Sequence, residues 1–364
     1  MATATAKRTA PADRVTGVKR IVNSELVPFS RQLASMLRAG MSLVVSLATI
    51  EEQVAHPGFR GVVTSVRETV EGGGSFSDGL TRFPKIFDDL YVNIVRSGER
   101  SGQFAEAMAR LSTLLDASAK LKRKVKSALA YPTIVMTMAL SIAAAMIIFV
   151  MPIFAGMFAD FGQKLPGPTQ FLMNTSDFIR GYWWLILIVA GGCFYAFKAW
   201  KKTDRGAFLF DRFKLRLPVF GALNQRVAVA RFASIFSQMI HSGVPILDAL
   251  RIVASACGNR VVGLSILEAR NTVEQGEPLS RGLERKEGIP LLVVRMVAAG
   301  ERSGKLDDML DNIAQTYEDE VETMLATLTS LMEPILMAFL GVLIGGIVIS
   351  MYLPIFKMSS IVGG

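Results

Sequence analysis

The stretch Tyr131–Phe154, YPTIVMTMALSIAAAMIIFVMPIF, decides the fold class, because it is apolar along its whole length and contains no Asp, Glu, Lys, Arg or His. About 20 residues rising about 1.5 Å each cross a hydrocarbon core of about 30 Å. Two more uncharged blocks, Gly181–Phe197 and Pro334–Phe356, have the same character, and aromatic rings bracket the first of them. In the last block, the spacing of Gly341 and Gly345 favours close packing of helices. We therefore predict three transmembrane helices.

The overall composition agrees with a membrane protein and indicates its orientation. The 364 residues are 51% hydrophobic and 20% charged, whereas soluble domains carry about 25% charge. The excess of Lys and Arg over Asp and Glu gives a net charge of +9. Basic residues cluster beside the predicted spans, at residues 120–126 and 198–205. Basic residues are retained on the cytoplasmic side, so we expect a cytoplasmic N-terminus and a periplasmic C-terminus. The basic clusters are expected to face membrane lipid, and no nucleic-acid partner is predicted.

The sequence contains an internal repeat that includes a span. Phe29–Leu47, FSRQLASMLRAGMSLVVSL, corresponds to Phe232–Leu250, FASIFSQMIHSGVPILDAL, at an offset of 203 residues. The pentapeptide GERSG occurs at 98–102 and again at 300–304, and Pro-Ile-Phe ends the first and third spans. Each repeat is therefore a module followed by a span. The second span is needed to return the chain to the side on which the first module lies.

The repeated modules are predicted to be helical bundles. Apolar residues recur at i, i+4, i+7 and i+8 in both copies, which is the spacing of one helix face, and about six helices per module are expected. The fold class is thus all-α, a polytopic membrane protein with three transmembrane helices and two repeated cytoplasmic helical-bundle modules. The predicted organisation is a disordered tail at 1–24, module 1 at 25–128, a span at 129–155, a periplasmic connection at 156–180, a span at 181–200, module 2 at 201–330, a span at 331–356 and a periplasmic tail at 357–364.

The GERSG pentapeptide is the most distinctive motif and is interpreted as a turn between two helices. Ser101 and Ser303 are predicted to cap helices that begin at Gly102 and Gly304. Glu99 and Glu301 have two interpretations: a structural carboxylate that accepts backbone N–H bonds or pairs with the neighbouring Arg, or a partner-facing or cation-coordinating group. The two copies consist of Gly98, Glu99, Arg100, Ser101 and Gly102, and of Gly300, Glu301, Arg302, Ser303 and Gly304.

We find no pattern that supports catalysis, and we predict no catalytic residues, no metal site and no cofactor. The segment Gly258–Ser265 has the GxxxxG spacing of a phosphate-binding loop but lacks its lysine. His56 and His241 are isolated, and two cysteines give no metal-ligand spacing. The spans carry no ionisable residue of the kind that transporters place there. A small transporter or channel component, and a membrane enzyme with an unrecognised site, remain the alternatives.

The arms that lead into the first and third spans carry opposite charge. The arm before the first span is basic. The arm before the third span is acidic from Asp307 onward, with no Lys or Arg between Leu306 and Phe356. We hypothesise that these arms pair, or that the acidic arm docks a partner; independent solvated faces are the alternative, since exposed ion pairs contribute only about 0–1 kcal/mol. The candidate residues are Lys120, Lys122, Arg123, Lys124 and Lys126 in the first arm, and Glu318, Asp319, Glu320 and Glu322 in the third.

The paired helices, the GERSG motif and the Pro-Ile-Phe span ends together resemble the inner-membrane platform proteins of type II secretion and type IV pilus assembly, over residues 29–356. The resemblance implies a non-enzymatic, homo-oligomeric platform in the bacterial inner membrane. Its implied partners are a hexameric assembly ATPase, pilin or pseudopilin subunits and other inner-membrane assembly proteins. Some members of the family are associated with calcium in the first module, for which Gln32, Glu99 and Gln103 form only a weak candidate set.

Overall fold

The computed structural model describes residues 18–160, 166–201 and 203–362, and within these ranges the chain is helical with no β-strand. Module 1 is built from six helices and the first part of a seventh. They are α1 (Val18–Ser24), α2 (Leu26–Arg38), α3 (Leu43–Gln53), α4 (Pro57–Glu71), α5 (Phe76–Thr81), α6 (Asp89–Ser101) and α7 (Phe104–Ala145). The all-α fold class is confirmed.

The core of module 1 is aromatic. Phe29 of α2 packs against Phe59 of α4 with ring centroids 5.4 Å apart, and Phe87 lies 5.0 Å from Tyr91 of α6. Tyr91 is fully buried, and its hydroxyl lies 2.9 Å from the Ser30 hydroxyl. Burial raises the pKa of Tyr91 well above its ordinary value. The phenol is therefore a neutral structural group that ties α6 to α2.

The prediction that residues 1–24 form a disordered tail is wrong for its last part. Residues 1–17 lie outside the described ranges, but Val18–Ser24 form α1, whose Ile21 is completely buried in the module core. The apolar side chains Val18, Ile21 and Val22 share one helical face and pack against the core. This short pattern next to a basic segment was too weak to be recognised as a helix.

Module 2 repeats the arrangement of module 1. Its helices are α10 (Asp204–Arg216), α11 (Phe220–His241), α12 (Ile246–Ala256), α13 (Arg260–Glu274), α14 (Leu279–Leu283), α15 (Leu291–Ser303) and the first part of α16 (Leu306–Val362). Phe232 and Phe236 of α11 are fully buried and stack with centroids 5.7 Å apart. The buried apolar residues of both modules form one continuous cluster. The described residues up to Arg123, together with Asp211–Val321, accordingly make one compact unit.

The second compact unit comprises Lys124–Phe210 and Glu322–Gly364 and contains the apolar helices. After α7 the chain forms a π-helical segment, Met146–Val150, then α8 (Met151–Asp160) and α9 (Gly167–Trp200), which is kinked at Tyr182. Among the described residues, three helical stretches are long and apolar enough to cross a membrane: Phe104–Phe154, Gly167–Trp200 and Leu306–Leu353. The chain is a membrane protein, as predicted. Part of the predicted connection, 161–165, lies outside the described ranges, as do Lys202 and residues 363–364 of the predicted tail.

Side-chain hydrogen bonds to backbone carbonyls link the helices of this second unit. The Thr169 hydroxyl on α9 donates to the Ser350 carbonyl on α16 at 2.6 Å. Arg180 of α9 donates to the Ile148 carbonyl in the π-helical segment. By contrast, apart from the adjacent backbone of α16 itself, no atom of the described residues comes within 4 Å of a Cβ built at Gly341 or Gly345. The predicted helix packing at these glycines is therefore not made within the described chain, and stays a prediction for a partner helix.

Candidate functional site

The two GERSG motifs lie at the ends of equivalent helices. In module 1 the motif forms the last turn of α6, and Gly102 follows it with a left-handed φ of +70°. In module 2 it forms the last turn of α15, and Gly304 has a φ of +68°. A residue without Cβ adopts this conformation at little cost, which explains the glycine at both helix ends.

The prediction that Ser101 and Ser303 cap helices beginning at Gly102 and Gly304 is wrong about where those helices begin, although the Ser101 hydroxyl does accept a hydrogen bond from the Gln103 backbone N–H at 3.4 Å. Each serine is the last residue of its own helix, and its hydroxyl donates back to the carbonyl of Gly98 or Gly300 at 3.3 Å. The following helices begin two residues or more beyond the motif glycines. The motif was interpreted as a turn between two helices, but the helical backbone continues through its first glycine.

Glu99 and Glu301 are the residues that give the motif its structural role. Glu99 accepts hydrogen bonds from the backbone N–H groups of Phe76, at 2.6 Å, and Ser77, at 3.2 Å, at the start of α5. Glu301 accepts from Leu279 and Ser280, at 2.5 and 3.1 Å, at the start of α14. These N–H groups have no partner within their own helix. Each carboxylate therefore joins the end of one helix to the start of another, and also meets the positive end of a helix dipole.

Gly98 and Gly300 allow the motif helix to approach the arm helix. A Cβ at Gly98 would lie 2.3 Å from the Cβ of Ala107 on α7. A Cβ at Gly300 would lie 2.9 Å from the Cα of Leu306 on α16. The motif thus combines two functions: its glycine permits close contact with the arm that leads to the membrane, and its glutamate fixes the helix end.

The start of α6 is also fixed by a carboxylate. Asp88 accepts a hydrogen bond from the backbone N–H of Tyr91 at 2.9 Å. Burial raises the pKa of Asp88 above its ordinary value, since the charged form loses solvation. In module 2 the corresponding position is Pro290, which has no side-chain cap. The two motif helices therefore share their C-terminal anchoring but not their N-terminal anchoring.

A junction between the modules was not predicted from the sequence. The Ser97 hydroxyl on α6 donates to the Ser242 carbonyl at 3.0 Å, and Arg110 on α7 donates to the His241 carbonyl. Both acceptors are at the C-terminal end of α11, where carbonyls lack helical partners. The only sequence signal would have been the match between donors in one repeat and acceptors in the other, which no local pattern reveals.

An ion pair links the two charged arms, on α7 and α16. Lys124 lies 2.5 Å from a carboxylate oxygen of Glu322. Glu320 instead pairs at 2.5 Å with Arg226 of α11, inside module 2, so the acidic arm has a basic neighbour that the sequence analysis had not considered. Glu318 and Asp319 also have polar or electrostatic partners. In the first arm, Lys120, Lys122, Arg123 and Lys126 are exposed.

The segment Gly258–Ser265 has its backbone donors already occupied. The Asn259 side chain accepts from the N–H groups of Val261 and Val262, at 2.9 and 3.3 Å. Asp211 accepts from the N–H of Arg260 at 3.0 Å. A phosphate-binding loop needs such N–H groups directed at its ligand. Here they stabilise the start of α13, and a carboxylate occupies the place an anion would need.

The residues considered for cation binding are not brought together as one site by the described contacts. Gln32 contacts Gln53 at 3.4 Å, whereas Glu99 is engaged by the start of α5. A different group, His241, Asp307 and Asp308, has potential ligand atoms within 4.8 Å of one another in module 2. His241 already faces Asp307, at 3.4 Å, and this group is exposed or half-exposed.

Comparison with known proteins agrees with the repeated architecture. The sequence model of the family described as type II secretion system (T2SS), protein F, matches residues 29–152 and again residues 232–354. Over 95% of this chain and 83% of the relative, the sequence is 39% identical to the type IV pilus assembly protein PilC of Myxococcus xanthus. It is 42% identical to the PilC protein of Thermus thermophilus, over 92% of this chain and 82% of that protein.

A relative from a secretion system matches over a similar length. The type II secretion system protein F of Aeromonas hydrophila is 31% identical over 93% of this chain and 87% of that protein. The family match falls on both module-plus-span repeats, in the order in which the structure places them. The chain therefore belongs to the type II secretion system protein F family.

Proposed function

We propose that this chain is a non-enzymatic platform in the bacterial inner membrane, which couples a cytoplasmic assembly ATPase to the polymerisation of pilin or pseudopilin subunits. The relatives named for type IV pilus assembly and for type II secretion support this role. The proposed partners also include other inner-membrane assembly proteins and further copies of this chain.

The observation that carries the proposal is the continuity of the two arm helices. α7 has 42 residues and α16 has 57, and each begins in a module and continues into an apolar span. At about 1.5 Å per residue they are about 63 and 85 Å long. A force applied by a partner to a module is therefore transmitted to the membrane along a continuous helix, which passes through Pro132 in α7 and Pro334 in α16, and the chain needs no chemistry of its own.

The proposed orientation places both modules in the cytoplasm and the C-terminus in the periplasm. Four exposed basic residues of the first arm, Lys120, Lys122, Arg123 and Lys126, lie next to the first span. In this orientation they lie beside the anionic lipids of the cytoplasmic leaflet, where each contributes about 1 kcal/mol. This orientation also gives the ATPase access to both modules.

The decisive experiment is crosslinking in native membranes, followed by identification of the captured proteins. Capture of the assembly ATPase and of pilin-type subunits is expected. A charge reversal at exposed Asp319 of the acidic arm tests whether that arm docks the ATPase, and reversal at exposed Glu52 of α3 is the matched control. ATP hydrolysis or solute movement by the purified chain alone in liposomes would contradict the proposal.

A further inference from the structure

The junction between the modules uses only half of the surfaces that the repeat provides. Module 1 contributes a helix face, formed by α6 and the start of α7, through Ser97 and Arg110. Module 2 contributes a turn end, formed by the turn between α11 and α12, through the carbonyls of His241 and Ser242. Because the modules are copies, module 2 has its own helix face, α15 and the start of α16. Module 1 likewise has its own turn end, between α2 and α3.

The exposure of equivalent residues shows that these two remaining surfaces are uncovered. Leu90 on the helix face of module 1 is 6% exposed, whereas the corresponding Leu292 of module 2 is 47% exposed. On the turn ends, Ser242 is half-buried, but its counterpart Ala39 is exposed. Val45, close to Ala39 on α3, is 52% exposed. Leu292 and Ala39 are therefore open where their counterparts are covered, whereas the counterpart of Val45, Asp248, is exposed as well.

The two uncovered surfaces place residues of opposite charge at equivalent positions of the junction. Arg38 is exposed at the end of α2, at the position that His241 occupies in module 2. The helix face of module 2 carries Asp308, which is exposed, and Asp311, and has no Lys or Arg from Leu306 onward. In module 1 the equivalent face has Arg110 where module 2 has Asn312. Exposed cations also stand on this helix pair, at Arg295, Arg302 and Lys305. The favourable charge is therefore a local one: Asp308 takes the position of Glu106, which pairs with the junction residue Arg110 in module 1.

We propose that the turn end of module 1 in one copy docks on the helix face of module 2 in a second copy, repeating the junction found within the chain. This inference rests on the proposed function only in placing the modules of all copies on one side of one membrane. The contact is heterologous, so each copy uses a different surface toward each neighbour. Copies in one membrane are related by rotation about the membrane normal, and such a contact closes into a ring of alternating modules where that rotation divides a full turn.

Site-specific crosslinking of the full-length chain in membranes tests the contact directly. Ala39→Cys and Ala299→Cys are placed on two separately tagged chains, in a background where the exposed Cys193 is replaced by serine. A short bismaleimide linker is expected to join the two differently tagged chains. The positive control carries Ser97→Cys and Ser242→Cys in one chain, since these positions meet within the chain. The two single variants, each expressed alone, should give no dimer.

Charge exchange separates specific docking from chance collision. Arg38→Glu is expected to lower the yield of the crosslinked pair two- to fivefold, and Asp308→Lys on the other chain is expected to restore it. Both positions are exposed, so helical content and thermal unfolding should stay unchanged.

Three outcomes would overturn the proposal. The first is a dimer formed by Ala39→Cys chains alone, which would indicate a symmetric contact. The second is crosslinking of these positions only to another protein, which would assign the surfaces to a partner such as the ATPase. The third is a successful control pair with no product from the test pair. The first and third outcomes do not involve ATPase capture, and the second would support the proposed function, so failure of this contact is distinguishable from failure of that function.

Discussion

Replacing Gly98 with alanine tests the claim that the motif helix needs direct contact with the arm helix. The new Cβ would lie 2.3 Å from the Cβ of Ala107, whereas carbon atoms in contact prefer about 3.5–4.0 Å. One helix must therefore move by more than about 1 Å. Overpacking costs about 1–3 kcal/mol, and a clash this close belongs to the upper part of that range, about 2–3 kcal/mol. A gain of about 1 kcal/mol in helix propensity offsets part of it, so a net loss of about 1–2 kcal/mol is expected.

Two other glycines make this prediction a ranked series. Gly61 lies inside α4, and a Cβ there meets no atom within 4 Å, so alanine should stabilise by about 0.5–1 kcal/mol. Gly300 is intermediate, because its Cβ would lie 2.9 Å from the Cα of Leu306. The expected order of stability is therefore Gly61→Ala, then Gly300→Ala, then Gly98→Ala.

Hydrogen exchange followed by mass spectrometry is the appropriate assay, because a protein with two compact units does not unfold in one step. Exchange in peptides covering α6 and the start of α7 should become about tenfold faster in Gly98→Ala, since 1.4 kcal/mol corresponds to a factor of ten. Peptides of module 2 should keep their wild-type exchange. Equal exchange in the Gly98 and Gly61 variants would refute the close-contact argument.

Three further predictions concern the carboxylates. Glu99→Gln and Glu301→Gln each lose a charged acceptor at a helix start and should destabilise their own module by about 1–2 kcal/mol. The loss should appear as faster hydrogen exchange in that module alone, and faster exchange in both modules from either change would contradict separate caps. Although partial burial raises it, hydrogen bonds from an arginine and a threonine hold the pKa of Glu51 below its ordinary 4.5. The contribution of Glu51 to folding stability is therefore present above about pH 4.5 and lost as the pH falls. In a Glu51→Gln variant, hydrogen exchange in α3 and α4 should depend less on acid pH than in the wild type, and an unchanged pH dependence would contradict this prediction. Lys124→Glu and Glu322→Lys should each weaken contact between the arms by about 0.2–1 kcal/mol, and the double exchange should recover it in crosslinking between α7 and α16; additive losses would exclude pairing.

The spans and the repeat could be predicted because their signals are local or identical. The absence of charge over Tyr131–Phe154 reflects the solvent around the helix, and it needs no knowledge of neighbours. The GERSG copies show that two parts of the chain share a structure without showing which structure. Glycine stands at position 98, inside a helix, because a Cβ there would clash with α7. That contact appears only in the three-dimensional structure, so the sequence could not show that the helix continues through Gly98.

The partners of the charged groups were the least predictable part of the candidate site. Glu99 was expected to stabilise its own turn by accepting backbone bonds or pairing with arginine, but its donors belong to α5, more than twenty residues earlier. Glu320 was grouped with the arm acids, yet Arg226 of α11 reaches it. Net charge along a segment indicates that partners are needed. The packing of helices decides which ones are near.

The glutamate of each GERSG motif binds peptide N–H groups and makes no use of the side chains that carry them. The first side chains of α5 and α14 can therefore change without loss of these hydrogen bonds. They differ at the first position, Phe76 in one module and Leu279 in the other, while Ser77 and Ser280 are the same. Proline at Phe76 or Leu279 is the substitution that abolishes this hydrogen bond, because it removes the N–H donor itself. The two modules can thus diversify their surfaces for different neighbours while the joint at the base of each arm keeps the same geometry.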